Sequence, residues 1–371
     1  MTPDEFRHYG RLVIDWIADY WERVGSLPVR SPVAPGEVAA ALPGRPPGKG
    51  EPLEALLAAL HRASRGAVRR DGITGRYAVY VSSETHSAAE KAVRIAGLGD
   101  AALRTVDVHP DTLALRPDAL WAAVAADVAT GVRPVMVVAT VGTTSTTAVD
   151  PVREIGEVCR AHETWLHVDA AYAGVAAVCP ELRWLHDGLE LADSYSTNPH
   201  KWLLTNFDCD AFYVADPEAL VGALTVLPEF LRNSATESGA VIDYRDWQVP
   251  LGRRFRALKL WAVLRWYGAE GLRAHIRDGV ALAADFASWV AADPRFELVA
   301  AHPLSLVCFR LRAGDAESED LLRRVNDSGE AYLSHTRVRG AFTLRLAIGA
   351  PATERRHVEE VWALLSRLAG G

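Results

Sequence analysis

The sequence predicts an α/β protein: a mostly parallel sheet with helices on both faces, a helical N-terminal arm, and a small α/β C-terminal domain. Three observations predict it. Between residues 76 and 170, short near-continuous apolar runs alternate with helix-length stretches, the pattern of parallel strands buried on both faces. Ahead of them, a strongly amphipathic segment is followed by a Pro- and Gly-rich stretch. Beyond residue 270, helix and strand signals resume after one long helical run.

The elements follow in order. Residues 5–24 carry Phe6, Leu12, Val13, Ile14, Trp16, Ile17, Tyr20 and Trp21 at helical spacing. The stretch to about Pro52, with Pro28, Pro32, Pro35, Pro43, Pro46 and Pro47, reads as an extended arm or linker. A helix this apolar needs a cover, either the body of its own chain or a second copy that exchanges arms. Tyr77-Ala78-Val79-Tyr80-Val81 is the first strand. It is followed by a helix over 88–97, a strand over 103–108, a helix over 117–128 and a strand over 134–140. A helix over 151–162 with proline in its first turn and a strand over 165–169 come next. A helical run over 253–267 leads out of this core. Helices at 280–291, 318–327 and 354–368 and strands at 304–311 and 342–347 make the C-terminal domain. The expected boundaries are 1–54 for arm and linker, 55–268 for the large domain and 269–371 for the small one. In sheets of this kind ligands collect beyond the carboxyl ends of strands, where His86, Thr144 and Asp169 fall.

Composition narrows the function. A net charge of −7 gives no electrostatic reason for a nucleic-acid partner. No apolar run is long enough to span a bilayer, and the polar, acidic Met1-Thr2-Pro3-Asp4-Glu5-Phe6 does not read as a signal peptide. Cys159, Cys179, Cys209 and Cys308 form no CxxC pair, which argues against a zinc site or disulfide framework and for a reducing cytoplasm. His162-Glu163 with His167 is one residue too long for a zinc helix, so no metal is expected. Only Lys49, Lys91, Lys201 and Lys259 are lysines. Arginine stays protonated, so any Schiff-base chemistry must use one of these four.

Two residues stand out. Asp169 ends a buried-type strand, with Ala170 and Ala171 after it, and a carboxylate there must have a partner. For an isolated strand-end aspartate a salt bridge or a helix cap is the commoner explanation; the other is a carboxylate that keeps a pyridinium nitrogen protonated, making the ring an electron sink. Lys201 follows about thirty residues later in Asn198-Pro199-His200-Lys201-Trp202. Most lysines are solvated surface charges, but Trp202-Leu203-Leu204 follows at once, and desolvation lowers a lysine's proton affinity and frees the amine as a nucleophile. Ala170, Ala171, Ala173 and Gly174 leave room for a flat ring.

The matching strings are Val81-Ser82-Ser83-Glu84-Thr85-His86-Ser87, Ala139-Thr140-Val141-Gly142-Thr143-Thr144-Ser145, His167-Val168-Asp169-Ala170-Ala171-Tyr172-Ala173-Gly174, Asn198-Pro199-His200-Lys201-Trp202-Leu203-Leu204, Asp243-Tyr244-Arg245-Asp246-Trp247-Gln248 and Pro250-Leu251-Gly252-Arg253-Arg254-Phe255-Arg256. In this order they resemble the pyridoxal-phosphate-dependent group II decarboxylases, close to aromatic-L-amino-acid decarboxylase. The resemblance implies a type I, aspartate-aminotransferase-like large domain and pyridoxal 5'-phosphate held by Lys201 as a Schiff base. It implies Asp169 at the ring nitrogen, His86 stacked on the ring near the substrate carboxylate, and Thr144 and Ala171 beside the cofactor. Asn198 and His200 would lie near its phosphate. Tyr244, preceded by the polar stretch 233–239 that suits a mobile lid, would return a proton to the α-carbon after CO2 leaves. Relatives with phenylalanine there tend to form aldehydes. The implied protein is a cytoplasmic homodimer that turns an L-amino acid, aromatic in type, into its amine.

The sequence departs from the family at one place. Relatives carry a long segment between the arm and the first large-domain strands, including a Ser/Ala-rich turn whose amides cup the phosphate at a helix N-terminus. Here Gly50-Glu51-Pro52-Leu53 runs almost directly into residues 55–64, the body of that helix without its turn. An internal segment is therefore expected to be lacking. The alternatives to a working decarboxylase are a weakly active or non-catalytic homologue, and an aldehyde-forming or acidic-substrate relative.

Overall fold

The structure, a computed structural model, describes residues 2–23, 76–225 and 242–370. The expected linker, the helix at 55–64 and the polar stretch 233–239 lie outside the described residues. The chain divides into two compact units, Met1–Arg70 with Glu218–Ala269, and Asp71–Pro217 with Glu270–Gly371.

In the first unit, helix α1 (Pro3–Arg23) forms where the amphipathic pattern predicts it. Tyr9 meets Trp266 edge-on at 5.1 Å, while Phe6 and Ile14 stay exposed. The helix is thus covered only in part by its own unit among the described residues.

The second unit holds both sheets. The larger is assembled from β1 (Tyr77–Ser82), helix α2 (Ala88–Ile95), β2 (Leu103–Val106), α3 (Pro117–Ala129), β3 (Arg133–Thr140), α4 (Val152–Ala161), β4 (Trp165–Asp169), β5 (Ser194–Thr197), the single turn α5 (Pro199–Trp202) and β6 (Ala211–Val214). Strand order is β2-β1-β3-β4-β5-β6. All pairs are parallel except β5 with β6. Valines and alanines face both sides of β1 and β3, with Val79, Val81, Val93, Ala102 and Val138 forming one buried cluster. Each buried valine contributes about 1.5–3 kcal/mol. Because β1, β3, β4 and β5 run parallel, the loops that leave their carboxyl ends share one edge of the sheet.

Helix α6 (Pro217–Leu224) and the long α7 (Arg256–Ala292) follow. Separate helices were expected at 253–267 and 280–291. The two segments of α7 do part at Gly268, whose φ of 63° and ψ of 173° lie outside the helical region, so the first ends where expected and the second begins about ten residues earlier than expected. No proline or cap interrupts the second half, so helix runs on to residue 292.

The smaller sheet contains β7 (Phe296–Leu298), β8 (Leu306–Leu311), β9 (Ser334–Val338) and β10 (Ala341–Ala347) in the antiparallel order β7-β8-β10-β9, with helices α8 (Asp315–Asp327) and α9 (Arg355–Leu368) against it. One face buries Phe286 of α7 with Phe296, Phe309 and Leu344. Phe286, Phe309 and Trp362 meet edge to face, with centroids 5.3–5.7 Å apart. Glu354 and His357 cap α9 reciprocally.

Four strands escaped the sequence reading. β5 is Ser-Tyr-Ser-Thr and lacks an apolar run, β6 and β7 span four and three residues, and β9 is mostly polar.

Candidate active site

The exit loops of β4 and β5 are stitched together by backbone hydrogen bonds. The Ala170 amide donates to the Ser196 carbonyl at 2.9 Å, and the Asn198 amide to the Ala171 carbonyl at 3.0 Å. The Lys201 amide then donates to the Asn198 carbonyl at 2.9 Å, closing the turn that carries the lysine. Asp169 and Lys201, about thirty residues apart in sequence, thus leave neighbouring strands on backbones in direct contact.

Asp169 receives the Ala171 amide on Oδ1 at 2.9 Å. Among the described residues no basic side chain forms an ion pair with it, so the salt-bridge explanation fails and the local cap accounts for one oxygen only. His167, two residues earlier and on the same strand face, lies 2.9 Å from Ser194 Oγ through Nδ1 and 3.4 Å from Ser196 Oγ through Nε2. Burial holds His167 below the ordinary histidine range. It is therefore a neutral, hydrogen-bonded support beneath Asp169, and the sequence reading missed it.

Lys201 is exposed on a 440 Å³ cavity that it shares with Thr143, Thr144, Tyr172, Trp202 and Arg345. That volume lies within the range of small-molecule sites, about 300–1,000 Å³. The desolvation expected of Lys201 is not found: Trp202 and Leu203 are buried behind it, while its own side chain faces the opening. Tyr172 stacks on Trp202 with centroids 5.0 Å apart and planes 10° apart, and its hydroxyl meets Ser305 Oγ at 2.6 Å. Burial pushes the Tyr172 phenol up to about 12, so it stays neutral and forms a wall. Trp202 Nε1 is buried there without a hydrogen-bond partner.

Thr144 is exposed on this cavity, while Thr143 is buried in a hydrogen-bonded turn. The Ala148 amide donates to Thr143 Oγ1 at 3.0 Å, and Thr146 Oγ1 lies 3.2 Å away. Gly142, at φ 84°, starts this loop; a Cβ there would come 2.7 Å from Ala173 Cβ, so glycine permits the loops after β3 and β4 to touch.

His86 lies on the turn after β1, exposed, with Nδ1 accepting the Ala88 amide at 3.1 Å. That is the helix-start contact a histidine at this junction would make in any case, and His86 is not among the residues that line the Lys201 cavity. Asp169, Ala171, Asn198 and His200 also stand outside that lining. His200 Nδ1 lies 2.7 Å from the Cys209 carbonyl oxygen and 3.0 Å from the Cys209 amide nitrogen, and Nε2 lies 3.4 Å from Asn198 Nδ2, so the ring is anchored on Cys209 beside Asn198. Tyr244 belongs to the other compact unit, exposed on a helical turn spanning Tyr244–Trp247. Arg345, on β10, also went unnoticed in the sequence.

Comparison with known proteins gives a consistent result. The pyridoxal-dependent decarboxylase conserved domain matches residues 53–312, more than half of the chain. The chain is 45% identical over 331 residues to a phenylacetaldehyde synthase of Arabidopsis thaliana, covering 86% of this chain and 68% of the relative. It is 45% identical to tryptophan decarboxylase 2 of Oryza sativa subsp. japonica, covering 85% and 66%. The chain thus spans about two thirds of these relatives' length. With tyrosine decarboxylase 4 of Petroselinum crispum it is 36% identical over 473 positions, covering 98% and 93%. Since 98% of 371 residues is about 364, roughly 109 positions of that alignment have no counterpart here. Among solved structures, Oryza sativa TDC with PLP and tryptamine superposes with a TM-score of 0.80 at 33% identity, covering 100% of this chain and 98% of that one. Catharanthus roseus tryptophan decarboxylase in complex with L-tryptophan gives 0.76 at 32%, covering 100% and 99%.

Proposed function

The chain belongs to the pyridoxal-dependent decarboxylase family, with the type I fold of its pyridoxal phosphate enzymes, and from that premise we propose that it decarboxylates an aromatic L-amino acid to the corresponding amine and CO2. The observation that carries this reading is the backbone stitching that brings the Lys201 turn against the Asp169 loop beside a cavity of substrate size.

The residues present fit pyridoxal phosphate. Lys201 offers a primary amine on the cavity for its aldehyde carbon, and Asp169 a carboxylate with no basic partner among the described residues for its ring nitrogen. Ala170, Ala171 and Ala173 crowd the site with nothing larger than a methyl group. When bound, the cofactor supplies an electron sink for the pair left on the α-carbon as CO2 departs. Asp169 would hold the proton on the ring nitrogen, and His167 beneath it, neutral and doubly bonded, would keep that carboxylate from turning away. Thr144 and Ala171 would flank the cofactor, and Asn198 with His200 Nε2 would face its phosphate. His86 would free its ring from the Ala88 amide to stack over the cofactor and meet the substrate carboxylate. Tyr244 would give its phenolic proton to the α-carbon. Half-buried Tyr172, stacked on buried Trp202, would exclude water on one side. The functional division we propose is arm 1–54, cofactor domain 55–268 and C-terminal domain 269–371, working as a homodimer.

Purified protein should show the visible absorbance of the bound cofactor, and Lys201→Ala should abolish it. Protein that stays colourless with added cofactor would sink the catalytic reading. It would favour the weakly active or non-catalytic homologue, which the roughly 109 positions without counterpart support. CO2 release assayed across Trp, Tyr, Phe and Dopa would rank the substrates. An aldehyde product is the second reading, favoured by the phenylacetaldehyde synthase relative. Tyr244→Phe should shift the product from amine toward aldehyde, and an unchanged ratio would remove the role assigned to Tyr244.

A further inference from the structure

We propose that Arg345 is a positioning residue: it sets Thr144 beside the Lys201 cavity by clamping the backbone of the β3 exit loop, and does not act as a receptor for the substrate carboxylate. The proposal rests on the functional reading above only for what the loop does once cofactor is bound.

Three hydrogen bonds carry it. Arg345 Nε donates to the Ser145 carbonyl at 2.8 Å, Nη2 to the Thr144 carbonyl at 2.7 Å, and Nη1 to Ser334 Oγ at 2.8 Å. A planar guanidinium holds two successive carbonyls and a hydroxyl in a fixed fork of three nitrogens, whereas an ammonium offers its three donors from a single rotating nitrogen. The placement follows from the small sheet. Cys308, Arg345 and Ser334 form one row across β8, β10 and β9. Cys308 Sγ also reaches the Ser145 carbonyl at 3.4 Å, and Thr336, two residues along β9, reaches Ser145 Oγ at 3.3 Å. One face of the sheet thus converges on a single residue of the loop, while Leu344 and Phe309 anchor the other face in the core.

The loop's internal bonds hold its two ends. The Gly142 and Thr143 amides donate to the Ala148 carbonyl at 3.0 and 2.9 Å, and the Thr147 amide to the Thr143 carbonyl at 2.8 Å. Those bonds close the base but leave the tip, Thr144 and Ser145, to be set from outside. Arg345 supplies that constraint, and a donor engaged with two loop carbonyls and a serine is poorly disposed to follow a substrate.

The test uses the full chain. Amide hydrogen exchange of the cofactor-free protein is compared for wild type, Arg345→Gln, Arg345→Lys and Ser334→Ala. Arg345→Gln should speed exchange at Gly142, Thr143, Thr147 and Ala148 about tenfold. Arg345→Lys should restore less than half of the protection on a logarithmic scale. Ser334→Ala removes one anchor of the guanidinium, and should move the same amides by about threefold; it decides the matter should Arg345→Gln fail to fold. Arg339→Gln, at a residue that clamps Pro110 and Asp111 from the same sheet, should leave these amides within twofold. In the loaded enzyme Arg345→Gln should weaken cofactor binding about tenfold and lower kcat, with KM within twofold. Unchanged exchange, or a tenfold rise in KM at unchanged cofactor affinity, would overturn the proposal in favour of a carboxylate receptor. Should wild type bind no cofactor, the functional reading fails while the exchange comparison still decides this one.

Discussion

Replacing Asp150 by asparagine sets two opposing effects against each other at the foot of the β3 exit loop. Asp150 is fully buried; its Oδ1 accepts the Leu115 amide at 2.7 Å and its Oδ2 the Thr140 amide at 2.7 Å. Burial raises the proton affinity of the carboxyl, the two amides lower it, nearby Glu84 raises it further, and the balance lies at about 6. The unfolded value is about 3.9. Because the folded state binds the proton more tightly, acid stabilises the native chain at this site. The gain is absent above pH 7 and grows as pH falls through 6. Between pH 7.5 and pH 5 it amounts to about 1 kcal/mol, from the ratio of the two proton-binding equilibria. Asparagine has one acceptor oxygen where aspartate has two, and turns its NH2 toward the other amide, so the substitution costs about 1–3 kcal/mol at pH 7.5. The prediction is that this cost is larger at pH 5 by about 1 kcal/mol. Urea unfolding of both chains at pH 7.5, 6 and 5 measures the gap. A gap that stays constant, or that shrinks in acid, would mean the two amides outweigh burial and would refute the reasoning.

Two further substitutions probe the packing around the site. Gly174→Ala would place a Cβ 2.1 Å from the Tyr195 hydroxyl and 2.6 Å from Thr197 Oγ1. Tyr195 must then leave His186 Nε2, which it meets at 3.0 Å, at a cost of about 2–4 kcal/mol. A urea midpoint equivalent to less than about 0.5 kcal/mol would show that the tyrosine moves aside freely. Tyr172→Phe removes only the hydroxyl bond to Ser305 and leaves the stack on Trp202. A double-mutant cycle with Ser305→Ala should return a coupling of about 1 kcal/mol, and a value near zero would dismiss that bond as a brace.

The apolar strands of the large sheet were legible in the sequence, while the polar supports of the candidate site were not. β1, β3 and β4 were legible because buried parallel strands are apolar on both faces. β5 was not: its hydroxyls look like loop residues until Ser194 is seen accepting the Trp165 indole N–H at 2.8 Å and bonded to His167. Asp169 and Lys201 were legible as a pair because their motifs bracket one strand crossover. The exposure of Lys201 was misjudged because burial of Trp202 and Leu203 says nothing of the residue before them on a one-turn helix. Arg345 could not be found from sequence. An arginine alternating with apolar residues in a strand reads as solvent-facing, and its partners lie about 200 positions away.

The residues proposed to hold a cofactor and the one proposed to steer its reaction lie in different compact units. Lys201, Asp169, His167 and the β3 loop lie in one compact unit, tied together by backbone bonds between adjacent strand exits, whereas Tyr244 is carried by the other unit. If the division is functional, Tyr244→Phe must alter the amine-to-aldehyde ratio without changing cofactor absorbance, and His167→Ala must do the reverse. His167 is not among the residues that line the Lys201 cavity, and its proposed role is exerted on Asp169 through the strand they share. Loss of His167 should therefore weaken cofactor binding and leave the product ratio of the remaining turnover as in wild type. A His167→Ala enzyme with full cofactor affinity would show that the Ala171 amide alone suffices to orient Asp169. A changed product ratio would show instead that the ring nitrogen's partner, and not only the proton donor, decides the fate of the α-carbon.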